Sequence, residues 1–128
     1  MNLLLDTHVV LWWLDDHPRL SRAARQAIRN PANRCWLSAV TVFEVETKHR
    51  LGKLALPSGL QLGWDNTVKA ERWSMLPVDH GHARQAGRYS LEHGDPFDRL
   101  LAAQAEIENA VLITWDPAFA SFGIRTLW

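Results

Sequence analysis

A single cysteine, Cys35, leaves the sequence unable to form an internal disulfide, which suits a reducing cytoplasm. The longest uninterrupted apolar stretch runs from Val9 to Leu14, far short of the roughly 20 residues that a membrane-spanning helix needs. No basic segment precedes an apolar one at the start, so no secretory signal is expected. An excess of one charge is missing too. Fourteen Lys and Arg balance 14 Asp and Glu, so no whole-molecule field draws the chain toward a polyanion or away from one. There is no Gly-rich phosphate loop, no dinucleotide fingerprint and no Gly-x-Ser-x-Gly elbow. Repeats, low-complexity stretches and linkers are also lacking. These absences point to a cytoplasmic protein with no membrane association and a single domain over residues 1–128.

What is present begins with a 47% hydrophobic fraction against 22% charged, enough apolar mass to bury a core and to exclude default disorder. Eleven of the 14 cations are Arg. Codon bias explains that as readily as a need to grip phosphate or carboxylate with a two-pronged guanidinium. Seven of the 12 aromatic residues are Trp, and so many indoles are hard to hide in a small core. Some of them are expected at a subunit or partner interface. Trp12 and Trp13 stand about 100° apart on a helix, which would turn one toward the core and the other outward.

Short apolar segments alternate with helical ones. Strands are expected at Asn2–Leu5, Arg34–Leu37, Met75–Val78, Val111–Thr114 and Ile124–Leu127. Helices are expected at Thr7–Leu14, at Arg22–Asn30 behind a Ser21 cap, and at Ala39–Leu51 with Gly52 as its stop. Further helices fit Leu60–Trp73, interrupted by Gly63, and a segment from Asp79 or His80 to about Leu91. Asp95-Pro96 opens another that reaches about Glu108, and a short helical turn follows Asp116-Pro117. This alternation predicts an α/β protein with a parallel sheet of four to five short strands covered on both faces. In such sheets ligands gather beyond the carboxyl ends of the strands, where the strand order reverses.

Asp6 directly follows the first strand and Asp116 follows the fourth, so both belong to that rim. Asp95 and Asp98 fall in the first turn of the helix before the fourth strand. Glu44 lies on a helix among Val42, Phe43 and Val45, an expensive setting for a carboxylate unless a cation or donor compensates it. Each has an ordinary alternative: Asp6, Asp95 and Asp116 as caps, Asp98 as a complement to the helix dipole, Glu44 as an ion-pair partner of Lys48. Together, acids aimed at one rim would repel one another unless a hard cation bound between them. Oxygen ligands without Cys suit Mg²⁺ or Mn²⁺.

Four segments carry a resemblance. They are Leu4-Leu5-Asp6-Thr7-His8, Ser38 to Glu44, the run His93-Gly94-Asp95-Pro96-Phe97-Asp98-Arg99 on to Ala105, and Leu112-Ile113-Thr114-Trp115-Asp116. In this order they resemble PIN-domain proteins, specifically the VapC-type toxins of bacterial toxin–antitoxin pairs. The resemblance spans Met1 to Trp128, and Asp-Pro-Phe-Asp-Arg is its most specific part. It implies an α/β/α sandwich, Mg²⁺- or Mn²⁺-dependent cleavage of RNA, dimerisation, and inhibition by a small cognate antitoxin protein. By residue-wise match Asp6, Glu44, Asp98 and Asp116 form the catalytic acids. Asp6, Asp98 and Asp116 are the expected metal ligands, and Glu44 binds through water or orients the nucleophile. Thr7 and Thr114 supply hydroxyl support.

Other clusters weigh less. His80-Gly81-His82 lacks a third ligand at zinc spacing. His93, two residues before Asp95, could contact phosphate or support the rim, but suits a solvated loop better. Lys48, His49, Arg50 and Lys53 fit either RNA backbone or the solvated negative end of a helix. Cys35 reads as inert core. Two other classes compete with the ribonuclease reading: a non-catalytic RNA- or protein-binding module, and a receiver-like signalling domain. The latter needs a late Lys, and the last one here is Lys69.

Overall fold

The computed structural model describes all residues from Met1 to Trp128. Five strands, β1 (Asn2–Leu5), β2 (Arg34–Ser38), β3 (Ser74–Leu76), β4 (Val111–Ile113) and β5 (Thr126–Leu127), form one sheet in the order β3-β2-β1-β4-β5. Every pairing is parallel, with Leu4 opposite Trp36 on one side and Leu112 on the other. The helices are α1 (Thr7–Leu14), α2 (Arg22–Arg29), α3 (Ala39–Arg50), α4 (Trp64–Glu71), α5 (His80–Arg88) and α6 (Pro96–Ile107).

Strand alternation distributes the core. Leu3, Leu5, Cys35, Leu37, Val111 and Ile113 point to one face, packing on Val9, Val10, Ala24, Ile28 and Val68 of α1, α2 and α4. Leu4, Leu76 and Leu112 point to the other, packing on Val40 of α3, Leu101, Ala102 and Ala105 of α6, and Phe119. This is the expected three-layer α/β/α sandwich. No helix is long and apolar enough to cross a membrane.

Local chemistry explains the boundaries. Asp6, Ser21 and Asp95 cap α1, α2 and α6 through their side-chain oxygens, as their sequence positions foretold, and Ser38, not singled out in the sequence, caps α3 in the same way. The expected Leu60–Trp73 helix is split. A 3-10 turn at Ser58–Leu62 stops at Gly63, whose φ of 90° no other residue adopts cheaply, and α4 begins at Trp64. β3 ends at Leu76 and not at Val78, because Pro77 has no amide to donate to the ladder. The carbonyl of Pro77 instead accepts from Gln104 Nε2 at 3.2 Å. α5 stops at Arg88, short of Leu91, for a long-range reason. Arg99 on α6 gathers the carbonyls of Ala86, Tyr89, Leu91 and His93 with its guanidinium, and the chain after α5 folds around it.

Candidate active site

Strand order reverses at β1, which lies between β2 and β4, and the crevice beyond β1 and β4 is the place such a sheet reserves for ligands. Asp6 and Asp116 reach it from the ends of these two strands. The Asp6 amide donates to Ile113 O at 3.1 Å, and Thr114 Oγ1 donates to Asp6 Oδ2 at 2.7 Å, so the strand ends are tied together. Glu44 enters from α3 and Asp98 from the first turn of α6. All four expected acids, together with Asp95, line one cavity of about 160 Å³.

Asp6 is the most deeply placed, 5% exposed. Its Oδ1 accepts from the Thr7 amide at 2.7 Å while capping α1. Burial pushes its pKa up, the Thr114 and Thr7 hydrogen bonds pull it back, and Glu44 adds to the rise. Glu44, 7% exposed, accepts from Thr7 Oγ1 at 2.8 Å on one oxygen and from Lys48 Nζ at 2.5 Å on the other. The ion pair and the rim position are therefore both real for this residue. Thr41, fully buried, lies 3.2 Å from Thr7 Oγ1 and completes this hydroxyl support.

Asp98 lines the same cavity as Asp6. Burial lifts its pKa to about 6; the His93 hydrogen bond opposes the rise, and the charges of Asp95 and Asp6 add to it. His93 Nε2 lies 2.9 Å from Asp98 Oδ2, with only a fifth of its side chain exposed. The solvated-loop reading of His93 is corrected. Arg99 holds its carbonyl at 2.8 Å, and its ring packs on Phe122 at 5.1 Å, which turns it inward. Asp116 caps the following 3-10 turn through Ala118 N at 2.9 Å, and its own amide is held by Thr114 Oγ1 at 3.1 Å. Asp95, the ordinary cap, does cap α6, at 2.9 Å from Phe97 N, and also edges the cavity.

The sequence under-reads three positioning residues. For His93 it ranks support of the rim behind a solvated loop, Arg99 stands out only as part of a motif, and nothing singles out Gln104. Gln104, completely buried, accepts from Ser38 Oγ at 2.5 Å and donates to Pro77 O, so α6 is pinned to the ends of β2 and β3. A buried amide in the Ala-rich stretch of α6 was the available signal, since such a group must find partners.

The donor set is all oxygen, and like charges crowd within it, a combination that fits a hard divalent cation. No three His, Cys, Asp or Glu side chains are gathered into a finished metal cage. Asp6 is turned toward Thr114 and Thr7, and Glu44 toward Thr7 and Lys48.

Elsewhere, Cys35 is buried with its thiol pushed up to about 11 by desolvation, in keeping with inert core. His82 is a buried capping partner of Asp79 and not half of a zinc site. Trp12 and Trp13 are both half-buried, in different surroundings. Trp12 stacks on His17, and Trp13 Nε1 donates to Glu71 at 2.9 Å, so neither turns fully outward. Trp115 and Trp128 are the exposed indoles.

A parallel α/β/α sandwich with an acid-lined crevice at its switch point defines the class. The chain belongs to the PIN-domain family, whose pattern its residues 3–124 match. It is 34% identical over 118 residues to Ribonuclease VapC22 of Mycobacterium tuberculosis, covering 90% of this chain and 87% of that protein. Its fold is similar to VapBC2 from Rickettsia felis, solved bound to a promoter DNA fragment, with a TM-score of 0.69, 19% identity and coverage of 99% and 98% of the two chains. It is also similar to FitAcB from Neisseria gonorrhoeae, with a TM-score of 0.64, 22% identity and coverage of 98% and 96%. Membership of this family removes the receiver-like alternative.

Proposed function

We propose that this protein is the toxin of a toxin–antitoxin pair and an endoribonuclease that hydrolyses RNA phosphodiester bonds with a divalent cation, Mg²⁺ or Mn²⁺. The observation that carries the reading is the convergence of Asp6, Glu44, Asp98 and Asp116, from four different elements, on one cavity. The VapC22 relationship supports the ribonuclease class, and the VapBC likeness agrees with an antitoxin partner.

Asp6, Asp98 and Asp116 would hold the ion, which when bound supplies Lewis-acid polarisation of the phosphoryl group and lowers the pKa of a water. The protein's own contribution is placement. Thr114 and the Thr7 amide fix the Asp6 carboxylate. His93 holds Asp98, and the Arg99 clamp holds His93. Glu44, set by Thr7 and Lys48, would orient the attacking water and receive its proton.

A protein partner is supported by a groove of about 340 Å³ with an almost wholly apolar lining. Phe43 (62% exposed), Val78 and Phe97 form part of its wall. The reading includes both a cognate antitoxin and a second copy of the chain, which a mass measurement on the chain alone separates. It also places the protein in the cytoplasm as one domain.

The direct test is cleavage of RNA by the purified protein with Mg²⁺, with EDTA as control. Cleavage that stops in EDTA and in Asp6→Asn, while that variant stays folded, supports the proposal. Wild-type rates in Asp6→Asn and Asp98→Asn overturn it. The non-catalytic module reading predicts no heat on titration with Mn²⁺.

A further inference from the structure

The acid cavity has a continuation. Thr7, His8 and Lys48 line both it and a second, larger cavity of about 390 Å³, whose other wall includes Trp12, His17 and Lys53. At the edge of the acid cavity stands Trp115, next in sequence to Asp116 and 43% exposed. Its indole is not loose. His8 meets it edge-on at 6.4 Å, Trp12 tilts against it at 6.3 Å, and Trp12 is backed in turn by Trp128 at 5.8 Å. The Arg19 guanidinium bridges the pair, 5.1 Å from the Trp12 ring and 5.9 Å from Trp115.

A rigidly backed ring left partly open beside a cavity is costly to expose and needs a reason. The charges around it supply one. Lys53 lines this stretch and Arg19 stands beside it, two unpaired cations against Asp15, while Lys48 is matched by Glu44, in a molecule of zero net charge. Aromatic faces interleaved with cations are what grooves for single-stranded nucleic acid are made of, the ring taking a base and the cations the backbone. The acids of the neighbouring cavity repel phosphate, so the backbone is drawn to the cationic side. A duplex offers no free base face to an indole.

We infer that Trp115 is the stacking platform for an unpaired base beside the scissile phosphate, and that the second cavity receives the adjoining stretch of single-stranded RNA. Lys53 and Arg19 contact its backbone. The inference rests on the reading of the acid cavity as an RNA-cutting centre. Trp115 is then a positioning residue that selects single strands over duplexes.

The experiment is fluorescence anisotropy with a labelled pool of single-stranded RNA decamers, on protein carrying Asp98→Asn so that the probe survives. Adding Trp115→Ala weakens binding about tenfold or more, whereas Trp115→Phe stays within about threefold, as stacking requires. An abasic decamer and a length-matched duplex bind the parent and Trp115→Ala alike. In protein with Asp98 intact, Trp115→Ala raises KM for single-stranded RNA and leaves kcat within about threefold. Equal affinity of parent and Trp115→Ala for the pool, or no binding of the pool by the parent, overturns the inference. So does a loss in Trp115→Ala of affinity for a cognate protein partner alone, which would mark a protein-docking surface. Trp115-dependent binding in a protein that cleaves no RNA upholds the stacking platform and removes the cleavage reading, and with it the place beside a scissile phosphate.

Discussion

The acid rim and the Arg99 clamp are neighbours, both polar and both largely withdrawn from solvent, and they are built on opposite principles. At the clamp one permanent cation meets four carbonyls at 2.6–3.2 Å, so every donor direction it uses is matched by an acceptor. The Ser38–Gln104–Pro77 link is satisfied in the same way. At the rim, carboxylates crowd carboxylates: burial raises the pKa of both Asp6 and Asp98, and the charge of Glu44 adds to the rise at Asp6 while those of Asp95 and Asp6 add to it at Asp98. Satisfied polar networks stabilise a fold, whereas a cluster whose members disfavour one another's charge is held in place at a cost and marks a functional site. The satisfied network is what keeps the strained one in position.

The comparison breaks first at the rim. Asp6→Asn and Asp98→Asn are each expected to lower RNA cleavage roughly 1,000-fold in a single-turnover assay, about 4 kcal/mol of barrier. The Asp98→Asn protein should nevertheless melt no lower than the parent. The clamp breaks the other way. Arg99→Met strands four carbonyls and should cost about 2–4 kcal/mol in urea unfolding. Its cleavage loss should follow the displacement of His93 and Asp98. Gln104→Leu should cost about 1–3 kcal/mol by orphaning Ser38 Oγ and Pro77 O. Equal effects of Arg99→Met and Asp98→Asn on stability would erase the distinction.

A smaller effect sharpens it. The folded-state pKa of Asp98 near 6 lies above the ordinary 3.8, so the folded protein holds this proton more tightly than the unfolded chain does. The stability of metal-free protein should therefore fall as pH rises from about 4 to about 6 and then level off. Asp98→Asn should flatten that slope, as read by denaturant unfolding in EDTA. The smallest effect concerns Cys35, whose thiol is pushed up to about 11. Its alkylation at pH 8 should proceed only at the rate of unfolding.

Much of this contrast was half visible in the sequence. Segments with their own caps were readable to within a residue, because Asp6, Ser21 and Asp95 announce the helices they begin. Elements whose ends are set from afar were not. The stop of α5 at Arg88 depends on Arg99, and the early end of β3 is completed by Gln104. The acids could be named from a motif resemblance and their rim from the places of Asp6 and Asp116 just past strand carboxyl ends. The rim-supporting reading of His93 could not be preferred over a solvated loop, because its orientation is fixed by a guanidinium six residues on and an aromatic ring contributed by Phe122. Glu44 shows why single-residue alternatives misled: its pairing with Lys48 and its place in the cavity are one arrangement.

The whole account turns on whether these acids act as one cation-holding unit. Isothermal calorimetry with Mn²⁺ addresses that most directly, on the wild-type protein and on folded Asp6→Asn/Asp98→Asn. Saturable binding by the wild type that the double variant loses is the predicted result. Identical heats from the two proteins would contradict it.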